Sequence, residues 1–225
     1  MKDLNQKAIA GLLRFLTILA LLLFLPAGTP DYWQAWIFLA VFFVSVLLIT
    51  LYLMKKDSKL LERRMNAGPG AEKERSQKII QSLATIGFIA VIVFPAVDHR
   101  FGWSSVPLPV ALAGDALVTL GLLIIFFVFK ENTFTSSVIE VDPEQRVIAT
   151  GPYALVRHPM YVGALVMLLG VPLALGSWWG LFMVIPITLV IVWRLVDEEK
   201  FLVKNLSRYS EYQNKVRYRL VPFIW

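Results

Sequence analysis

The sequence predicts an all-α integral membrane protein of about six transmembrane helices, the last two a tight helical hairpin, with a short helical tail at the C-terminal end. Three observations carry this. Of 225 residues, 57% are hydrophobic and only 17% charged, whereas soluble domains are about half apolar and a quarter charged. The apolar residues fall in runs near the roughly 20 residues a helix needs to cross the hydrocarbon. Basic residues collect on alternate connections, as the positive-inside rule requires.

The six apolar segments are about Ala8 to Leu25, Trp33 to Met54, Ile79 to Val97, Val106 to Phe129, Met160 to Leu175, and Trp178 to Val196. Lys2 and Lys7 ahead of a stretch ending in Pro26-Ala27-Gly28 also fit a cleaved signal peptide, but Arg14 interrupts the apolar region and further spans follow, which favours a retained helix. Only Gly176 and Ser177 part the last two segments, hence the hairpin. Lys55, Lys56, Lys59, Arg63, Arg64, Lys73, Arg75 and Lys78 crowd the second connection, and Lys200, Lys204, Arg208, Lys215, Arg217 and Arg219 crowd the tail. The first connection has no Lys or Arg and the third has only Arg100. Both termini and the polar segments 55–78, 130–159 and 197–225 are therefore expected on the cytoplasmic side of a bacterial inner membrane or the endoplasmic reticulum.

Composition excludes several chemistries. There is no cysteine, so disulfides, thiolate nucleophiles and Cys-ligated zinc are absent. The two histidines, His99 and His158, are too few for a His-based metal cage. The net charge of +6 is expected to serve topology and not nucleic acid. No phosphate-binding glycine motif occurs, and Asn66-Ala67-Gly68-Pro69-Gly70 reads as a flexible turn between charged helix ends. Asp115, in the fourth span, is expected either to act in function or to make a helix-to-helix hydrogen bond.

Chemistry-bearing residues gather near the last two segments. Pro159 is expected to start the fifth span, which leaves His158 at the N-cap and sets Tyr161 one turn past Arg157 and His158. The free N–H groups of that first turn favour an anionic or oxygen-rich ligand. The sixth span ends in Arg194-Leu195-Val196-Asp197-Glu198-Glu199, where three carboxylates oppose the helix dipole and Arg194 can pair with Glu198. An antiparallel hairpin brings both motifs to one end of the bundle.

Gly151-Pro152-Tyr153, Arg157-His158-Pro159-x-Tyr161-x-Gly163, Glu198-Glu199-x-x-Leu202, Tyr209-x-x-Tyr212 and Arg219-Leu220-Val221-Pro222 resemble the isoprenylcysteine carboxyl methyltransferase family and the related phospholipid N-methyltransferases. The resemblance covers about residues 130–225, making that region the methyltransferase part, and 1–129 the four N-terminal spans with the basic loop 55–78. It implies S-adenosylmethionine as cofactor and a lipophilic acceptor entering from the bilayer, such as a prenylcysteine-like carboxylate. It further implies that His158, Tyr161, Glu198 and Glu199 bind the cofactor, and that Val147, Thr150, Gly151, Pro152 and Tyr153 line the adenosine pocket. Arg194 would then act on the acceptor, with Asn132, Phe134 and Ser136 as further acceptor contacts. Asn205-Leu206-Ser207 departs from the family's usual aromatic and glycine. Membrane sterol and ene reductases, which share an Arg-His-Pro-x-Tyr-like element and bind NADPH, are the rival reading, with Arg217 and Arg219 available for the 2′-phosphate. A non-enzymatic membrane protein whose tail coats anionic lipid is the third.

Reporter fusions at Gly28, Gly68, Gly102 and Ala149 are expected to read out, in, out and in. A Gly68 fusion reading outside overturns the topology.

Overall fold

The structure, a computed structural model, describes residues 2–72 and 74–225, without the side chain of Lys2. Lys73 of the basic loop lies outside the described residues. Those residues form eight α-helices and no strand: α1 (Lys2–Ala27), α2 (Trp33–Lys56), α3 (Ser58–Met65), α4 (Arg75–Phe101), α5 (Leu108–Glu131), α6 (Pro159–Ala174), α7 (Leu181–Asn205) and α8 (Tyr209–Lys215). The four helices α1, α2, α4 and α5 are long and apolar enough to cross a membrane. α6 is apolar but has 16 residues, and α7 carries Arg194, Asp197, Glu198 and Glu199 in its second half.

Local chemistry sets the helix ends. α1 and α4 are followed by Gly28 (φ 70°) and Gly102 (φ 64°) in the left-handed region that glycine enters without a Cβ clash. Pro107 and Pro159 stand at the starts of α5 and α6, where the missing N–H is no loss. Asp57 caps α3 by accepting from the Leu60 N–H at 3.0 Å.

Asn66-Ala67-Gly68-Pro69-Gly70 turns the chain between two helix ends as expected, α3 with its basic last turn and α4 starting at Arg75; α3 is amphipathic, with Leu60 and Leu61 buried beside Leu53 and Phe129. One expectation needs correction. The last two spans are not a hairpin closed by Gly176-Ser177. Six residues, 175–180, join them, and each packs mainly on an earlier helix, α6 on α5 and α7 on α4. Glycine is the physical reason. A Cβ at Gly121 would stand 2.5 Å from the Gly163 carbonyl oxygen, and one at Gly114 would stand 2.2 Å from the Ala174 nitrogen. Small residues seven apart on both helices let the backbones touch, the means of association where lipid is as apolar as leucine.

The connections gather at opposite ends of the bundle. At one end Asp98, buried at the end of α4, accepts hydrogen bonds from Ser104 N–H (2.8 Å), Ser104 Oγ (2.6 Å) and Ser177 Oγ. Tyr32 donates to the Leu175 carbonyl at 2.6 Å and stacks on His99, centroids 3.9 Å apart. This polar knot ties the 175–180 turn to α2 and α4. At the other end lie the long polar segments. Asp115 is buried and its carboxylate makes no hydrogen bond among the described residues, so the expected helix-to-helix bond is not formed.

Gly121→Ala is expected to destabilise the bundle by about 1 to 3 kcal/mol through overpacking, read as a lower thermal midpoint in detergent. Gly11→Ala, where a Cβ meets nothing within 4 Å, should leave that midpoint unchanged. Equal midpoints for wild type and both variants would remove the close approach of α5 and α6 from the account.

Candidate functional site

The polar end is built around the entrance to α6. His158 is its N-cap and Pro159 its first residue, as the sequence predicts. The His158 and Arg157 N–H groups donate to the carbonyls of Arg219 (3.0 Å) and Tyr218 (2.9 Å), so the tail runs alongside this entrance. The Arg157 guanidinium donates from Nε to Glu199 Oε1 at 2.7 Å and from Nη1 to the carbonyls of Val216 (2.9 Å) and Arg217 (2.8 Å).

Glu199 therefore has a different role from the expected one. Its Oε1 also lies 3.2 Å from His158 Nε2, and its Oε2 accepts from Arg219 Nε at 2.9 Å. Both oxygens are engaged, and the side chain is 6% exposed. Glu199 lies past Val196, where the apolar part of α7 has ended. Burial raises its pKa, but the hydrogen bonds from His158, Arg157 and Arg219 outweigh that and hold the carboxyl at about 2, against an ordinary 4.5. An ionised carboxylate only accepts, so His158 Nε2 carries the proton and Nδ1 is the acceptor in the neutral ring.

Beside this cluster is a cleft of about 810 Å³, counting its open mouth. It is lined by segment 132–148, the start of α6, Glu198 and the Leu202–Tyr212 stretch. Of the residues singled out in the sequence, Asn132, Phe134, Ser136, Val147, Tyr153, His158, Tyr161 and Glu198 line it. Glu198 accepts from the Tyr161 hydroxyl at 2.6 Å through Oε2, and Oε1 makes no hydrogen bond among the described residues. Asn132 is spent on structure: Nδ2 donates to the Tyr153 hydroxyl at 3.1 Å and Oδ1 accepts from the Phe134 N–H at 2.9 Å. Val147 packs against the Leu206, Tyr209 and Tyr212 cluster.

Four expected residues stand elsewhere. Thr150 donates to Glu131. Gly151 has φ 55°, and a Cβ there would stand 2.9 Å from Glu131 Oε2, so it turns the chain at a place only glycine fits. Gly151 and Pro152 line a separate apolar groove with Phe127, Leu155, Val162 and Leu220. Arg194 pairs not with Glu198 but with Glu72, 2.8 Å from Nη2, and also donates to Gln77 Oε1 (3.1 Å) and the Ser137 carbonyl (3.0 Å). Glu72 is 3% exposed and also accepts from the Ile139 N–H at 3.2 Å. The expected Arg194–Glu198 contact therefore gives way to a long-range ion pair, because the α3–α4 connection folds over this end.

Tyr209 was quoted in the sequence only as part of a Tyr-x-x-Tyr spacing. It lines the cleft, and its buried hydroxyl has no hydrogen-bond partner. Burial, with Glu199 near, pushes its pKa up, so it stays a donor. A buried donor without a partner is costly, which points to a ligand with an acceptor. A ligand with hydroxyls, a carboxylate and a flat ring fits this set: Glu198 Oε1 accepts, Tyr209 donates, His158 Nδ1 accepts, and Tyr153 and Tyr212 offer rings.

Residues 110–208 match the phospholipid methyltransferase family model, a family that includes the isoprenylcysteine carboxyl methyltransferases. The matched segment runs from the start of α5 through the entrance of α6 to the end of α7, and so contains the family expected from the motifs. A Delta(14)-sterol reductase of Mus musculus is 28% identical over 137 residues, covering 53% of this chain and 33% of the reductase. The chain thus spans about a third of the length of that curated relative.

Removing Glu199 leaves Arg157 and Arg219 without their carboxylate, a loss of about 3 to 5 kcal/mol for a buried ion pair. Glu199→Ala is therefore expected to lower the unfolding midpoint sharply at pH 7. Because the folded pKa is depressed, the stabilisation is full above about pH 4.5 and is lost as pH falls toward 2. The variant should lack that part of the acid dependence. A variant with wild-type stability at pH 7 would remove Glu199 from the centre of the site.

Proposed function

We propose that this protein is a multi-pass membrane methyltransferase that uses S-adenosylmethionine to methylate a lipophilic acceptor, with its site and both termini on the cytoplasmic face. The observation that carries the proposal is the cleft at the α6 entrance. Its lining includes Glu198, one of whose oxygens is unengaged, and Tyr209, whose buried hydroxyl is unpartnered, at the end of a segment matching a methyltransferase family. The donor supplies an electrophilic methyl group on a sulfonium. The chain's part is to hold donor and acceptor in line and to keep water out.

In this reading Glu198 accepts ribose hydroxyls through Oε1, while Tyr161 fixes the carboxylate from the other side. His158 Nδ1 receives the ammonium end of the donor, and its orientation is set by Glu199. Val147, Tyr153 and Tyr212 flank the adenine. Thr150, Gly151 and Pro152 shape the wall from outside, and Glu199 is a support, not a ribose ligand. Phe134 and Ser136 face the acceptor, and Asn132 holds the turn that carries them. Arg194 is a positioning residue: Glu72 holds it at the Ser137 carbonyl, within electrostatic reach of Tyr161.

The second reading is a sterol or ene reductase, favoured by the likeness to the mouse sterol reductase and by Arg146 at the cleft, where a 2′-phosphate could sit. Against it, Arg219 is engaged with Glu199, and neither it nor Arg217 lines the cleft.

Calorimetry of the purified protein with S-adenosylmethionine and, separately, with NADPH distinguishes the readings. The expected result is binding of the first alone. Glu198→Gln is expected to weaken it by more than about 1 kcal/mol, as for a charged hydrogen-bond partner, and His158→Ala to weaken it too. Tyr161→Phe should do so modestly, since its ring remains. NADPH binding without S-adenosylmethionine binding reverses the assignment. Arg194→Lys is expected to retain donor affinity yet lower kcat by tenfold or more, about 1.4 kcal/mol, because lysine cannot bridge Glu72, Gln77 and Ser137 at once. Wild-type turnover in Arg194→Lys reduces Arg194 to a structural cation.

A further inference from the structure

Four arginines around the polar end are held by buried or half-buried carboxylates, whereas Arg64, Arg75, Arg146 and Arg217 have no carboxylate partner among the described residues. Arg157 and Arg219 bond Glu199, Arg194 bonds Glu72, and Arg63 bonds Asp142 at 2.7 Å. Arg64, on the last turn of α3, has no carboxylate partner. Its Nη1 donates to the Ser136 carbonyl at 2.8 Å and touches Met160 Sδ at 3.8 Å. Its Nε and Nη2 make no hydrogen bond among the described residues.

The side chain is not a loose surface group. The guanidinium stands 5.0 Å from the centroid of the Phe129 ring, and the Arg64 carbonyl accepts from Ser137 Oγ at 3.0 Å. Buried Leu60 and Leu61 and the Asp57 cap fix the helix that carries it. Burial, and the Arg194 charge nearby, pull its pKa down to about 10, so it remains a cation at neutral pH. A partly dehydrated cation without a counter-ion is unfavourable, and an anion arriving at Nε and Nη2 relieves it through the bidentate fork that arginine presents.

The surroundings select the kind of anion. The apolar cluster beneath holds Leu53, Leu60, Leu61 and Phe129, with Ile125 and Met160 packed against it. α2 and α5 end here, at Lys56 and Glu131, which is the headgroup level if these helices span the bilayer. Ser136, Met160 and Tyr161, which line the cleft, stand next to Arg64. The groups suited to the donor, Glu198, His158 and Tyr209, come from α7, the α6 entrance and the tail.

We infer that Arg64 is an anion-recognition residue that holds the carboxylate or phosphate of a membrane amphiphile beside the cleft, with the alkyl chain toward the bilayer. Naming that amphiphile as the methyl acceptor rests on the methyltransferase reading; the anion site itself does not.

The test is calorimetry on the full chain in a neutral maltoside detergent, with dodecyl phosphate as probe. Arg64→Gln should weaken dodecyl phosphate binding tenfold or more. Arg64→Lys should weaken it less, because the charge remains and the fork is lost. Lys204→Gln, an exposed residue of α7, should not change it. S-adenosylmethionine affinity should stay within twofold in every variant, which separates this site from the donor site. If the wild type binds dodecyl phosphate but no S-adenosylmethionine, the anion site stands and the methyltransferase reading fails. Unchanged dodecyl phosphate binding in Arg64→Gln overturns the inference, as does an equal loss in Lys204→Gln. Inorganic phosphate binding as tightly as dodecyl phosphate overturns the amphiphile. Loss of thermal stability in both Arg64 variants, together with both ligands, makes Arg64 a structural clamp and overturns it too.

Discussion

Three bases from two separate parts of the chain, Arg157 with His158 and Arg219, converge on the Glu199 carboxylate at the head of α6. This one group joins the α6 entrance, the charged end of α7 and the tail. Without it the tail has no ionic hold on the bundle, and the wall of the cleft that carries Tyr209 and Tyr212 loses its anchor. The arrangement also resolves an electrostatic oddity in α7. Acidic residues near a helix C-terminus oppose the dipole, and here the opposition is answered by two guanidiniums and an imidazole from elsewhere. Holding His158 by Nε2 fixes the orientation of a ring that lines the cleft.

A second polar layer lies on the other side of the cleft. Glu72 from the α3–α4 connection holds Arg194, while Arg63 and Arg64 reach the carbonyls of Thr133 and Ser136. The basic connection, whose charge is sufficiently explained by topology, thus also supplies the brace for segment 132–142. Guanidinium geometry decides which carbonyls this set of cations holds. Arg64 is the member of this set whose fork is only partly used, which is why it stands out as a place for an external anion.

Within the bundle the stabilising logic is that of a membrane protein. Apolar surface facing lipid gains little from helix association, so contact depends on close approach and on satisfied polar groups. α5 and α6 meet through paired glycines, and the far end is tied by Asp98 with Ser104 and Ser177 and by Tyr32 with Leu175. These two devices fix where α6 sits against α5 and against the far end of the bundle, and so the position of its N-terminal turn at the polar end. The site depends on packing some 16 residues along the helix from its chemistry.

The sequence alone determined the helical membrane class, the alternation of polar connections between the two ends of the bundle, and the meeting of the Arg-His-Pro-x-Tyr entrance with the Glu-Glu end of α7. Each follows from signals that are local or cumulative: apolar runs, proline at a helix start, and charge counted loop by loop. The motifs likewise announced the methyltransferase family that residues 110–208 match. The tertiary structure decided what one-dimensional spacing cannot carry. Glu198 and Glu199 are adjacent in sequence, yet one faces the cleft and the other is consumed by three bases, because successive residues on a helix point about 100° apart. Arg194 found Glu72 rather than Glu198 because a long-range partner reached it from the α3–α4 connection. Gly176-Ser177 suggested a two-residue hairpin, but glycine contacts between α5 and α6 and a six-residue turn set the order of packing. Tyr209 could have been advanced from its Tyr-x-x-Tyr spacing beside the acidic pair, but the burial of its hydroxyl without a partner is a fact of three dimensions. Local periodicity and charge are written residue by residue, whereas the choice among equally charged partners is made only by the distances that folding creates.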